Sequence, residues 1–110
     1  MPKRRTKPIV AVLLPEGAQR EFLPQWLEKK LRSFCQPAAL EGGDLAALLR
    51  EARGCLTSWG SPRLTAQDIE VAERLGIISH AAGSIRPYVP VEAFDRGIVV
   101  TSAAGVIATY

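Results

Sequence analysis

The sequence predicts an α/β protein with a flavodoxin-like, open, mostly parallel five-stranded sheet and flanking helices. Short β-branched apolar runs alternate with segments whose apolar residues recur every three or four positions, and Gly, Pro, Asp or Thr stands at most of the junctions. Such alternation calls for right-handed crossovers between parallel strands. Size agrees: 110 residues, 47% of them hydrophobic, suit one small domain with a real core and leave no room for a second.

Residues 8–14 form a continuous apolar run ended by Pro15, the pattern of a strand covered on both faces. The segment 18–30 places Phe22, Leu23, Trp26, Leu27 and Lys30 at helical spacings, with Pro24 starting its main part and Trp26, at helical spacing with Phe22, in the core. A short strand is expected at 31–35, then a polar loop to Gly43. Asp44 caps a helix over 45–53, with Leu45, Leu48, Leu49 and Ala52 on one face and Gly54 as its stop. A third strand covers 55–58. Thr65 caps a helix over 66–75 that Gly76 ends, 77–80 is a fourth strand, 91–96 a short helix closed by Gly97, and 98–101 the fifth strand.

Charge narrows the function classes. The formal charge is +3 and the pI 9.2, but Lys3, Arg4, Arg5 and Lys7 precede the first apolar run, and without them 10 basic residues face 11 acidic ones. Residues 1–7 read as a basic disordered tail on a nearly neutral body. No basic stripe or nucleic-acid module is visible, so no nucleic-acid partner is expected. The first apolar run is about six residues long, too short for a secretory signal or a membrane span. A cytoplasmic protein without a membrane partner is the expectation. Cys35 and Cys55 have 19 residues between them and no CxxC or His-rich company, which predicts two reduced thiols and no metal site.

In open α/β sheets ligands lie beyond the carboxyl ends of the strands. The loops 15–18, 59–63 and 81–90 qualify. Successive amides in a turn make a nest for an anion, and Gly allows close approach of the backbone, so Gly83 with the amides of Ser84 and Ile85 is the candidate cradle. The alternative is that Gly83 only permits a tight turn. Arg86 is either an anion contact or part of an exposed extended turn before Pro87. Trp59 is a candidate pocket wall and Ser58 a candidate hydrogen-bonding residue at its edge, with packing the competing role for the indole. His80 is a candidate general acid, weighed against a hydrogen-bonded structural histidine at a strand end.

Three stretches together carry a resemblance: Leu64-Thr65-Ala66-Gln67-Asp68, then Leu75-Gly76-Ile77-Ile78-Ser79-His80-Ala81-Ala82-Gly83-Ser84, then Glu92-Ala93-Phe94-Asp95-Arg96-Gly97-Ile98-Val99-Val100-Thr101-Ser102. In order and spacing they resemble the amino-terminal part of the catalytic, substrate-binding domain of the D-isomer-specific 2-hydroxyacid dehydrogenases. The family's turn commonly reads RAGVGVD. Here it is Ala81-Ala82-Gly83-Ser84-Ile85-Arg86-Pro87, with the first Gly kept and the second Gly and the Asp replaced by Ile85 and Pro87.

The resemblance implies a fragment: a partial substrate-binding domain over 8–103, with 104–110 as the start of an interdomain helix. It implies a small 2-oxo or 2-hydroxy acid as substrate, NAD or NADP as cofactor, and a homodimeric intact enzyme. It also implies that the catalytic Arg, Glu and His lie beyond the chain end, so that the chain by itself is inactive. No dinucleotide-binding domain and no G-x-G-x-x-G turn is present, so the fragment is expected to bind no cofactor. A missing carboxyl-terminal segment would leave apolar surface uncovered. The competing function is a stand-alone flavodoxin-like small-anion-binding domain; a receiver domain would need acidic residues after the first and third strands, where Leu14-Pro15-Glu16 and Ser58-Trp59 stand.

Overall fold

A computed structural model describes residues 7–40 and 43–102. Five parallel strands form one sheet in the order β2-β1-β3-β4-β5: β1 (Ile9–Val12), β2 (Gln36–Ala39), β3 (Ala52–Thr57), β4 (Ile77–His80) and β5 (Val99–Ser102). The helices are α1 (Glu16–Phe22), α2 (Gln25–Arg32), α3 (Leu45–Glu51), α4 (Ala66–Val71) and α5 (Val91–Asp95). This is the flavodoxin-like order, with its switch point between β1 and β3. The expected architecture is the one found.

The core lies between the sheet and α3, α4 and α5. Ala11, Cys55, Ile78 and Val100 sit side by side across β1, β3, β4 and β5 and are buried against Leu49, Ile69, Ala72 and Ala93. The opposite face is less covered toward β5. There the row Val10, Gly54, Ile77 and Val99 runs across the same four strands, and Ile77 and Val99 keep 44% and 45% of their surface exposed.

Several boundaries differ from the sequence expectation. The helix expected over 18–30 is two helices, because Pro24 lacks the N–H an unbroken helix needs and instead stands as the N-cap of α2. The break removes the i, i+4 relation between Phe22 and Trp26, and Trp26 is 70% exposed rather than core. The strand expected at 31–35 is absent. Leu31 continues α2, and β2 follows at Gln36–Ala39, an edge strand that tolerates Pro37 because no further strand needs its missing N–H. Helix α3 ends at Glu51, not at Gly54, since Ala52 is already extended and Gly54 lies inside β3. Helix α4 stops at Val71, and β5 starts one residue later than expected.

Other local signals hold. Asp44 accepts from the Ala47 amide, and Thr65 and Asp68 form a reciprocal capping box at α4. Gly97, with φ +78°, turns the chain from α5 into β5. Lys7, assigned to the basic tail, donates to the Arg32 carbonyl at 2.8 Å, while the rest of that tail and the expected helix at 104–110 lie outside the described residues.

Arg96 ties α5 to α4. Its guanidinium donates to the carbonyls of Ile69, Ala72 and Glu73, which end α4. Replacing it by Met keeps the aliphatic stem and removes the donors. Arg96→Met is expected to lower stability by about 1–2 kcal/mol in urea unfolding, whereas Arg20→Met on α1 should change it by less than about 0.5 kcal/mol. Equal effects at both positions would exclude this capping role.

Candidate functional site

The carboxyl ends of β3 and β4 hold most of the candidate residues. After β3 the chain turns through Ser58, Trp59, Gly60 and Ser61. Gly60 has φ +82°, and a Cβ there would stand 3.0 Å from the Pro15 ring, so this turn requires glycine. Ser61 Oγ accepts from the Ser58 amide at 2.8 Å and donates to the Leu13 carbonyl at 2.7 Å, which fastens the turn to the end of β1. The Ser58 hydroxyl is buried and donates to the Trp59 carbonyl. Trp59 is 63% exposed and meets Phe22 edge-on, with ring centroids 6.4 Å apart.

After β4, the loop 81–90 carries Gly83, Ser84, Ile85 and Arg86. Among the described residues the amides of Gly83, Ser84 and Ile85 donate to no hydrogen-bond acceptor, while the Ile85 carbonyl accepts from Tyr88 and Val89 and closes the following turn. Gly83 has no positive φ, and a Cβ built on it meets nothing within 4 Å. Its glycine is therefore required neither by the turn nor by packing. The Ile85 side chain is buried in the core, leaving its backbone as the part of it that can serve a ligand, and Arg86 is exposed.

Tyr88 joins the two loops. Its carbonyl accepts from the Leu64 amide at 2.9 Å and its hydroxyl from the Gly60 amide at 3.3 Å. Its ring lies on His80, with centroids 4.8 Å apart. His80 is 1% exposed, and its Nδ1 is 2.8 Å from Thr57 Oγ1, its partner across the β3–β4 register. Burial pushes the histidine pKa down, partly offset by the Ser84 backbone. The sequence reading missed Thr57, Ser61 and Tyr88 as parts of this end of the sheet; only strand register and loop return bring them together.

A cavity of about 220 Å³ opens at the β1/β3 switch point, lined by Leu13, Leu14, Pro15, Gln19, Gly60 and Pro62 among others. It does not reach residues 83–85. A larger one, about 570 Å³, is lined by Lys7, Gln36, Glu51, Arg53 and Arg74 around the amino ends of the strands. Strand polarity favours the carboxyl end as the ligand end of this fold. Cys35 and Cys55 are buried and free, and burial pushes the Cys55 thiol up to about 12. No group of three or more potential metal ligands stands together among the described residues, and no helix among them is long and apolar enough to cross a membrane.

No protein-family model and no curated protein sequence matches the chain. Solved structures do. The PH0520 protein from Pyrococcus horikoshii OT3 is 26% identical with a TM-score of 0.66, over 89% of this chain and 28% of that one. A 2-hydroxyacid dehydrogenase from Ketogulonicigenium vulgare Y25 is 24% identical with a TM-score of 0.64, over 88% and 30%. An NAD+-bound 3-phosphoglycerate dehydrogenase from Entamoeba histolytica is 22% identical with a TM-score of 0.61, over 88% and 33%. This chain has the fold of a 2-hydroxyacid dehydrogenase domain. It spans about a third of the length of these dehydrogenase structures.

The strand ends among the described residues carry no dinucleotide-binding turn. Among the described residues no G-x-G-x-x-G sequence follows a strand. Helix α1 opens after β1 on Pro15, which has no N–H to offer a phosphate, and on the acidic Glu16.

Proposed function

We propose that this chain is the substrate-binding part of an NAD(P)-dependent oxidoreductase acting on the CH–OH group of D-2-hydroxy acids, and that its loop 83–85 holds the substrate carboxylate. Three adjacent amides without acceptors, at the carboxyl end of β4, carry this reading. An anion held there gains several amide dipoles at once. The fold shared with 2-hydroxyacid and phosphoglycerate dehydrogenases supports it. On this reading Trp59 walls the site, Arg86 adds positive charge at its rim, and Ser58 acts by shaping the turn. The cofactor and the Arg, Glu and His of catalysis belong to other parts of the enzyme, and the intact enzyme is a cytoplasmic homodimer.

Amide NMR of the chain during a pyruvate titration tests the cradle. The resonances of Gly83, Ser84 and Ile85 should move together, and neutral pyruvamide should leave them in place. Gly83→Ala should keep stability within about 0.5 kcal/mol, since its methyl enters open space, while weakening pyruvate by about tenfold by standing in the ligand's path. If pyruvate moves amides elsewhere, or pyruvamide moves these three equally, the cradle assignment fails.

A further inference from the structure

One buried polar atom near this loop is left over. His80 Nε2 is fully buried and has no hydrogen-bond partner among the described residues. Its ring is held on two other sides, by Thr57 at Nδ1 and by the Tyr88 ring against its face. An imidazole fixed this firmly, with one nitrogen idle in a buried site, is unusual, because buried polar groups are nearly always hydrogen-bonded.

The tautomer follows from Thr57. That hydroxyl is itself fully buried, and His80 Nδ1 is its hydrogen-bond partner. A hydroxyl proton in such a place must be donated, and Nδ1 is the acceptor within reach. Nδ1 therefore accepts, and in the neutral ring the proton sits on Nε2. The idle atom is a donor. The Ser84 main chain acts on this ring in the sense that favours its protonated form, as a carbonyl oxygen does and an amide N–H does not.

In a trans peptide the carbonyl of one residue and the amide N–H of the next point in opposite directions. Drawing the Ser84 carbonyl inward to Nε2–H would therefore turn the Ile85 N–H outward, away from the His80 ring. We infer that His80 is a positioning residue of the loop, whose Nε2–H holds the Ser84 carbonyl and so aims the Ile85 amide at an anionic ligand. The inference builds on the proposed carboxylate cradle and explains why a histidine, with two nitrogens on opposite sides of a flat ring, stands at the end of β4. Thr57 fixes one nitrogen and the other is left to set the loop.

Two amide substitutions separate the ring's nitrogens. Asn places its amide near the position of Nδ1 and can still reach Thr57, but falls short of Ser84; Gln extends to the position of Nε2. Without any ligand, His80→Asn should shift the Ile85 amide resonance and His80→Gln should leave it near its wild-type position. With pyruvate as the probe, His80→Asn should bind about tenfold more weakly and His80→Gln within about threefold of the unaltered chain, the effect of one hydrogen bond lost or kept.

Ring nitrogen NMR should place the neutral proton on Nε2. A proton on Nδ1 overturns the inference, as does an Ile85 resonance indifferent to both substitutions or displaced equally by both. Should pyruvate leave the unaltered chain unchanged, the cradle fails, while the tautomer and the ligand-free Ile85 resonance still decide the role of His80.

Discussion

Ser61→Ala is expected to destabilise the protein by about 2–4 kcal/mol, out of proportion to the single oxygen it removes. That oxygen accepts from the Ser58 amide and donates to the Leu13 carbonyl, and both partners belong to buried residues. Each loses its partner in the variant, and a buried unpaired group costs about 1–3 kcal/mol. The cavity left by one oxygen is too small to admit water that could replace both bonds. Ser33 offers the control, because its hydroxyl also donates to a main-chain carbonyl, but at an exposed helix end. Ser33→Ala should change stability by less than about 0.5 kcal/mol. Urea unfolding with an unchanged denaturant slope reads both. A loss below about 1 kcal/mol for Ser61→Ala would mean that the turn repacks, and that β1 and β3 are not joined through this hydroxyl.

The same contact bears on the site. Ser61 fixes where the turn after β3 leaves the sheet, Gly60 in that turn donates to Tyr88, and Tyr88 lies against His80. A shift of the Ser61 turn would therefore pass to the loop that carries Gly83, Ser84 and Ile85. Fold and candidate function share these bonds.

How much of this was legible in the sequence depends on how local each signal is. Asp44, Thr65 and Gly97 act within three residues of themselves, and the helix starts and stop they mark are in place. β4 is legible directly because its residues stand between Gly76 and the Gly-containing loop that follows. β2 is not, since Gln36-Pro37-Ala38-Ala39 has neither alternation nor β-branched residues; it is a strand because β1 offers it an edge. The junction of α3 with β3 was misplaced for a related reason. Ala52 fits the helical face on spacing, but it is buried as the first residue of a central strand.

The candidate site divides in the same way. The carboxyl-end rule needs only strand order and direction, so strand ends and the Gly83 turn suffice to nominate candidate loops from the sequence. The pairing of Thr57 with His80 depends on register, and the reach of Tyr88 back to Gly60 depends on how a whole loop returns. Neither leaves a trace in spacing. Trp26 shows the opposite error: a correct local pattern was carried across Pro24, where one helix ends and another begins.

Ile78→Ala and Ile77→Ala remove the same atoms from adjacent positions of β4 and should have very different effects. Ile78 is fully buried between Cys55 and Val100, facing α3, α4 and α5. Truncation there removes three carbons from a closed core and should cost about 3–4 kcal/mol, a large share of the 5–15 kcal/mol that holds a domain of this size. Ile77 faces the other way, beside Gly54 and Val99, and already meets solvent over 44% of its surface. Its truncation should cost at most about 1 kcal/mol.

The comparison also probes the open face of the sheet. If that face associates with apolar surface in solution, Ile77→Ala should weaken self-association in sedimentation experiments while leaving the monomer's unfolding midpoint almost unchanged, and Ile78→Ala should lower the midpoint at every protein concentration. Equal, large losses of stability in the two variants would mean that both faces of β4 are closed in the folded monomer, contrary to the exposure of Ile77 and Val99. A concentration-dependent loss confined to Ile77→Ala would instead identify this row as the surface through which the domain meets its next layer.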